Sequence, residues 1–220
     1  MHATSAHSPS PEPESPVIRR DTASAAEQRE AGIGAGPVSA CLSSGVLEAV
    51  LQPTTGLALW RRSARLGLNR AIQAALALPA FSKVAEGPAD QAAWALVRDM
   101  PLEMRPLGED MAKLGRLFAS VTKDHAMRFR LEHVTDNACR QHHVDAVGLR
   151  LLCTYAGLGT EWIHPNAQHR RMSVFHVGVF KGSKFPDTAP RILHRSQPVE
   201  HLPEWRRSRL LLCIDQPGVF

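Results

Sequence analysis

Hydrophobic positions between residues 63 and 125 recur mainly at three- and four-residue steps, the period of an α-helix with one buried face. Leu68, Ile72 and Leu76 follow this pattern in the first part of the stretch. Pro88-Ala89-Asp90 is a typical helix start for the second part. The helices predicted in this way cover residues 63–78, 88–98 and 111–121.

The pattern differs on either side of this helical stretch. Before it, leucine and β-branched positions surround the turn sequence Pro53-Thr54-Thr55-Gly56 and predict a strand pair over residues 45–60. After residue 126, short apolar runs alternate with turns that contain Gly, Pro, Asn or Asp, which is typical of a sandwich, jelly roll or barrel. The strands predicted there are 129–134, 149–155, 160–163, 173–181, 192–199 and 209–215.

The distribution of apolar residues also predicts the domain organisation. Residues 1–37 are rich in Ser, Pro, Ala, Glu and Gly, and they bury too little surface to offset the entropy of ordering. We therefore expect a disordered tail over 1–37 and one α+β domain over 38–220. In that domain, residues 38–126 are a mostly helical support and residues 127–220 a jelly-roll-like β core.

Two histidines and an aspartate form a candidate metal site in the β-rich half. His143 and Asp145 are two positions apart, so on an extended strand both side chains point to the same face. His194 begins another β-rich run about fifty residues later. Two imidazoles and one carboxylate on one side of an ion are the facial triad of non-haem Fe(II) oxygenases, although imidazole also suits zinc.

Arg209 is the candidate anion-binding residue. It follows His194 by about fifteen positions and opens the apolar run Arg209-Leu210-Leu211-Leu212-Cys213-Ile214. An arginine buried in a strand needs an anion, because an unpaired buried charge is costly. A dicarboxylate cosubstrate would provide that anion through a bidentate interaction.

This order of His-x-Asp, distal His, Arg and apolar strand resembles the Fe(II)/2-oxoglutarate-dependent dioxygenase superfamily over residues 127–216. The resemblance implies a double-stranded β-helix, a cupin-like fold, with His143, Asp145 and His194 on iron. It also implies that Arg209 holds the far carboxylate of 2-oxoglutarate, with Tyr155 as a residue that could share it.

A resemblance to a bacterial family of undefined function covers most of the chain. The runs HHVDAVGLRLLCTYAGLGTEW, GVFKGSKF, ILHRSQPV and RSRLLLCIDQPG are similar to those of the DUF1826 family. This resemblance implies a link to metal homeostasis.

Several alternatives remain open at this point. Leu211 stands where many members of the oxygenase superfamily carry Ser or Thr, and Arg206 or Arg207 could replace Arg209. A non-catalytic metal-binding or metal-sensing protein, perhaps one selective for zinc, is the alternative to an oxygenase. A third hypothesis is a hydrolase or isomerase that uses the metal as a Lewis acid, with Glu161 or His176 as the base.

Composition and charge bear on the partners. The net charge is +5 and the basic residues are scattered, so the chain favours a small-molecule or protein substrate of anionic character over a nucleic acid. We expect no membrane association, because no apolar run approaches the roughly 20 residues of a membrane helix. The N-terminal sequence is not typical of a secretion signal, so we expect a cytoplasmic protein. The helical region is a candidate homodimer face.

Overall fold

A computed structural model describes residues 36–63, 67–137 and 139–217. Residues 1–35, which make up nearly all of the predicted tail, lie outside the described residues. The described residues form an α+β fold with strands in two sheets. The strands are β1 Val38–Cys41, β2 Leu57–Trp60, β3 Phe81–Gly87, β4 Met127–Val134, β5 Leu149–Ala156, β6 Thr160–Ile163, β7 His169–Arg171, β8 Val177–Lys181, β9 His194–Ser196 and β10 Arg209–Asp215. The α-helices are α1 Leu68–Leu76, α2 Ala89–Val97 and α3 Arg105–Thr122.

The larger sheet has seven strands in the order β1-β2-β8-β5-β10-β4-β3, and the smaller has three in the order β7-β6-β9. Apart from the parallel β1–β2 pair, every neighbouring pair in both sheets is antiparallel. The two-sheet jelly-roll arrangement agrees with the predicted β core.

The two faces of the larger sheet have different partners because side chains alternate along each strand. One face packs against the three helices in the main hydrophobic core, to which β5 contributes Leu151, Cys153 and Tyr155. Leu152 of β5 points the other way, into a smaller core with Trp162 of the small sheet. The candidate site lies on this second side, between the two sheets.

Several element predictions are confirmed and others are wrong. The three helices and the six strands of the β-rich half form at or near their predicted positions. Of the strand pair predicted over 45–60, the second strand forms as β2. The first does not form, because Ser44–Leu51 is a 3₁₀-helix that buries Val46, Leu47 and Val50. The helix predicted over 63–78 is shorter, at Leu68–Leu76, and residues 64–66 lie outside the described residues.

Three strands were not predicted: β1, which precedes the predicted strand pair, and β3 and β7. β3, within the helical stretch, is an edge strand that pairs only with β4 among the described residues. Its partial burial leaves a weak hydrophobic alternation, which explains why the sequence pattern did not reveal it. β7 is fully exposed and carries no apolar residue. In the part of the chain that is described, no helix has the length and apolarity needed to cross a bilayer.

Candidate metal centre

The main chain holds His143 and His194 side by side. The two residues form an isolated antiparallel bridge, in which each backbone N–H donates to the carbonyl oxygen of the other at 3.0 Å. His194 opens β9, where its neighbour across the small sheet is Trp162. The ring of Phe180 packs against the His194 ring, with the ring centroids 4.6 Å apart. The imidazole of His194 is therefore buried, and that of His143 is partly exposed.

Both imidazoles present Nε2 to the site because Nδ1 faces the backbone. His143 Nδ1 lies 2.9 Å from the carbonyl oxygen of Gln141, and His194 Nδ1 lies 3.4 Å from that of Ile192. A carbonyl oxygen can only accept, so Nδ1 is the protonated nitrogen of each neutral ring. Nε2 is then the nitrogen of each ring that binds a metal ion once its own proton has left.

Asp145 places its carboxylate close to Nε2 of both histidines. Its Oδ1 is 3.5 Å from His143 Nε2, and its Oδ2 is 3.0 Å from His194 Nε2. The buried Oδ2 has no hydrogen-bond donor. Burial alone would raise the pKa of Asp145, but His194, Arg150 and His143 hold it below the ordinary value for an aspartate. The carboxylate is therefore ionised at neutral pH.

These three residues fit a divalent cation. One ligand atom from each of them lies within 4.8 Å of those from the other two. When both Nε2 atoms are unprotonated, their lone pairs and the Asp145 carboxylate repel one another unless a cation lies between them. Two histidines and one carboxylate suit either iron(II) or zinc.

Arg150 also contacts the site, and the sequence did not reveal this role. Its guanidinium donates to both oxygens of Asp215 at 2.6 and 2.8 Å and also bonds Oδ1 of Asp145. Asp215 is buried on β10, directly across the sheet from Arg150 on β5. Arg150 thus fixes the orientation of Asp145. Only the cross-strand register, which the sequence does not state, would have shown this pairing.

Arg209 lines the same cavity as the three candidate ligands. The cavity has a volume of about 130 Å³ and lies between the two sheets, and its lining includes Leu152, Arg195 and Leu211. The buried guanidinium donates to the hydroxyl groups of Thr154 at 3.2 Å and Thr160 at 2.9 Å, and also to that of Ser196.

The charge of Arg209 lacks an anionic partner among the described residues. No carboxylate lies within ion-pair distance of its guanidinium, and its buried Nε has no acceptor. Burial lowers the pKa of Arg209 to about 10, so the group still carries its charge at neutral pH. A buried cation that is hydrogen-bonded only to neutral groups is a candidate position for an anion.

The structure does not bring Tyr155 to the cavity. A register shift between β10 and β5 gives Leu210 and Leu211 the partners Ala156 and Thr154, so Tyr155 is the bulged residue. Its side chain points into the helical core, where its hydroxyl donates to Asp110 at 2.9 Å. The expectation that Tyr155 shares the far carboxylate of 2-oxoglutarate is therefore wrong.

Asp110 already has a partner in that core. Arg62 donates to both of its oxygens, at 2.8 and 2.7 Å, and all three polar side chains, including Tyr155, are buried. This network joins the chain after β2 to α3 and β5, so it holds the helical layer on the sheet.

The other candidates from the sequence lie away from the cavity. Arg207 donates to the backbone carbonyls of Leu202 and Glu200, and Arg206 is exposed. Glu161 accepts from Arg195 at 2.7 Å and from His169 at 3.2 Å. His176 precedes β8 and does not border the cavity. Neither base of the Lewis-acid hypothesis therefore faces the candidate metal centre.

A comparison with known protein families shows the family to which the chain belongs. The family described as "Protein of unknown function (DUF1826)" matches residues 42–215. The chain belongs to this family. The match spans the helical layer, both sheets and all residues of the candidate centre. No curated protein sequence is significantly similar to this DUF1826 member.

Solved structures of similar fold are oxygenases and related proteins. A putative oxygenase from Shewanella oneidensis has a TM-score of 0.51 at 12% identity, covering 83% of this chain and 91% of that one. Full-length Neurospora crassa T7H, in complex with alpha-KG and 5-formyluracil, has a TM-score of 0.50 at 12% identity, covering 80% of each chain. A Pseudomonas putida prolyl-4-hydroxylase has a TM-score of 0.50 at 10% identity, covering 80% of this chain and 100% of that one. This DUF1826 member thus has the double-stranded β-helix fold of these oxygenases.

Proposed function

We propose that this protein is an Fe(II)- and 2-oxoglutarate-dependent oxygenase that hydroxylates or demethylates a small-molecule or protein substrate. The observation that carries the proposal is Arg209, a buried cation without an anionic partner among the described residues, in the same cavity as His143, Asp145 and His194. The fold supports the proposal, and the Neurospora protein of similar fold is bound to alpha-KG, which is 2-oxoglutarate.

Each residue of the centre would have a distinct part. His143 and His194 would hold iron through Nε2, and Asp145 would hold it through a carboxylate oxygen that Arg150 keeps in place. Iron(II) together with 2-oxoglutarate would supply the activation of dioxygen and the oxidising step. A set of two histidines and one carboxylate would leave further coordination positions of the iron to the cosubstrate and substrate.

Arg209 would bind the far carboxylate of 2-oxoglutarate. The hydroxyl groups of Thr154, Thr160 and Ser196 hold its guanidinium in one orientation, which reduces the entropy lost on binding. The exclusion of water by Trp162, Phe180 and Leu152 behind the site would strengthen this ionic contact.

An anaerobic titration tests this proposal. Protein loaded with Fe(II) should develop a visible charge-transfer band on addition of 2-oxoglutarate, and with oxygen it should form succinate. Arg209→Gln should weaken 2-oxoglutarate binding on the order of 10- to 100-fold, because it removes a charged hydrogen bond donor, while iron is retained. The control is Arg207→Gln, which changes a nearby arginine bound only to backbone carbonyls. Absence of both the band and 2-oxoglutarate binding in iron-loaded protein would contradict the proposal.

A second candidate function is a non-catalytic metal-binding or sensing protein, selective for zinc and linked to metal homeostasis. The three hydroxyl partners of Arg209 favour it, because they provide polar contacts to the guanidinium without any cosubstrate. Tight retention of zinc through His143, Asp145 and His194, without affinity for 2-oxoglutarate, is the result expected of this function.

A further inference from the structure

A second group of potential ligands lies on the outer face of the small sheet. His142, Glu161 and His169 each offer one ligand atom, and these atoms lie within 4.8 Å of one another. Consecutive residues of an extended chain point to opposite sides. His143 faces the cavity and His142 faces away from it, and along β6 Trp162 points inward while Glu161 points outward.

The sheet register explains why these residues meet. β6 and β7 are antiparallel, with Glu161 opposite Arg171 and Ile163 opposite His169. Glu161 and His169 are therefore diagonal neighbours on one face, a spacing that long side chains bridge. The His169 Nδ1 to Glu161 Oε1 distance is 3.2 Å. His142 reaches the pair from the loop before the His143–His194 bridge, and its ring packs edge-on against the His169 ring at 5.4 Å.

His142 is the residue that these contacts leave unsatisfied. Its Nε2 is buried and has no hydrogen-bond partner among the described residues. A buried ring nitrogen without a partner costs free energy that a ligand can recover. Glu161 in turn is oriented by Arg195, whose Nε donates to Oε2 at 2.7 Å. Orientation of a carboxylate ligand by a neighbouring donor is common in metal sites.

We propose that His142, Glu161 and His169 form a second metal site, which binds a divalent transition-metal ion such as zinc on the outer face of the small sheet. Two imidazoles and one carboxylate are a zinc ligand set that leaves a further coordination position. His169 is exposed, so that position opens to solvent and the ion exchanges readily. The neighbouring charge of Arg195 makes this outer site weaker than the buried centre.

Zinc stoichiometry of the full-length protein tests the proposal. Metal-free protein should take up two equivalents of Zn²⁺ in equilibrium dialysis with elemental analysis. His142→Gln and His169→Gln should each lose one equivalent and keep the other. His194→Gln should also lose one equivalent, and the double variant His169→Gln/His194→Gln should lose both.

The control is His164→Gln, which changes a histidine that is bonded to Asn166 beside the same sheet but outside the cluster. It should retain two equivalents. Thermal melts of all variants without metal show whether each one is folded. The proposal is overturned if folded His142→Gln and His169→Gln bind as much zinc as the wild-type protein, or if His164→Gln loses an equivalent as well.

Discussion

At the scale of single residues, the candidate centre depends on how each charge is matched. Asp145 shares Arg150 with Asp215, so one guanidinium contacts two buried carboxylates and the three groups keep a net negative charge. Arg209, by contrast, has hydroxyl partners only. The two arginines line one cavity, but among the described residues only Arg150 forms ion pairs there, with Asp145 and Asp215.

Arg150→Met should lower the free energy of unfolding by about 3 kcal/mol, because it leaves buried carboxylates without their cation. The pKa of Asp145 is lowered in the folded protein, so its ionised form stabilises the fold at neutral pH and this contribution is lost as the pH falls. The difference in the free energy of unfolding between Arg150→Met and the wild-type protein should therefore become smaller as the pH falls towards about 3.

Urea unfolding of metal-free protein at several pH values measures this effect. Arg116→Met is the control, since its pair with Asp90 is exposed on both sides and should contribute less than about 1 kcal/mol. An equal loss of stability in the two variants would refute the assigned role of Arg150.

At the scale of elements, the end of β8 positions the loop that carries Asp145. Ser183 N–H donates to the carbonyl of Asp145 at 2.8 Å, and Gly182 N–H donates to that of Gly148 at 2.8 Å. The two segments approach so closely that a Cβ at Gly182 would lie 2.1 Å from the carbonyl oxygen of Val147. Only glycine fits at this contact, which fixes where the Asp145 carboxylate meets the histidines.

Gly182→Ala should therefore displace the loop and weaken metal binding at His143, Asp145 and His194 on the order of 10-fold, at a stability cost of about 1 to 3 kcal/mol. Calorimetric titration of the metal-free protein, together with a thermal melt, measures both effects. Gly45→Ala is the matched control, because the nearest atom to an added Cβ there is 3.7 Å away. Unchanged metal affinity in Gly182→Ala would show that the contact does not position the ligand.

At the scale of the whole molecule, the candidate centre joins the two sheets. His194 belongs to the small sheet, Arg209 and Arg150 to the large one, and Asp145 to the loop that enters β5. An ion held between these elements binds only the folded chain. Metal binding at this centre would therefore be coupled to folding.

Metal should accordingly raise the stability of the whole fold. At a free concentration of about 100 times Kd, the gain is about 2.7 kcal/mol, or a rise in Tm of about 5 to 10 °C for a domain of this size. The melts are best made in the His169→Gln background, so that the outer cluster does not contribute. Addition of His194→Gln should abolish the rise, and a rise that persists would assign the bound ion to another site.

The sequence by itself determined the positions of most strands and helices and the residue types of the candidate centre. These depend on local periodicity and on residue type, both of which can be read directly from the sequence. The residues concerned are His143, Asp145, His194 and Arg209. Only the tertiary structure decided which residues meet. A bulge turned Tyr155 towards Asp110, and cross-strand register placed Arg150 opposite Asp215 and Glu161 beside His169. Register and bulges arise from packing between distant segments, and a shift of one residue reverses the face that a side chain occupies.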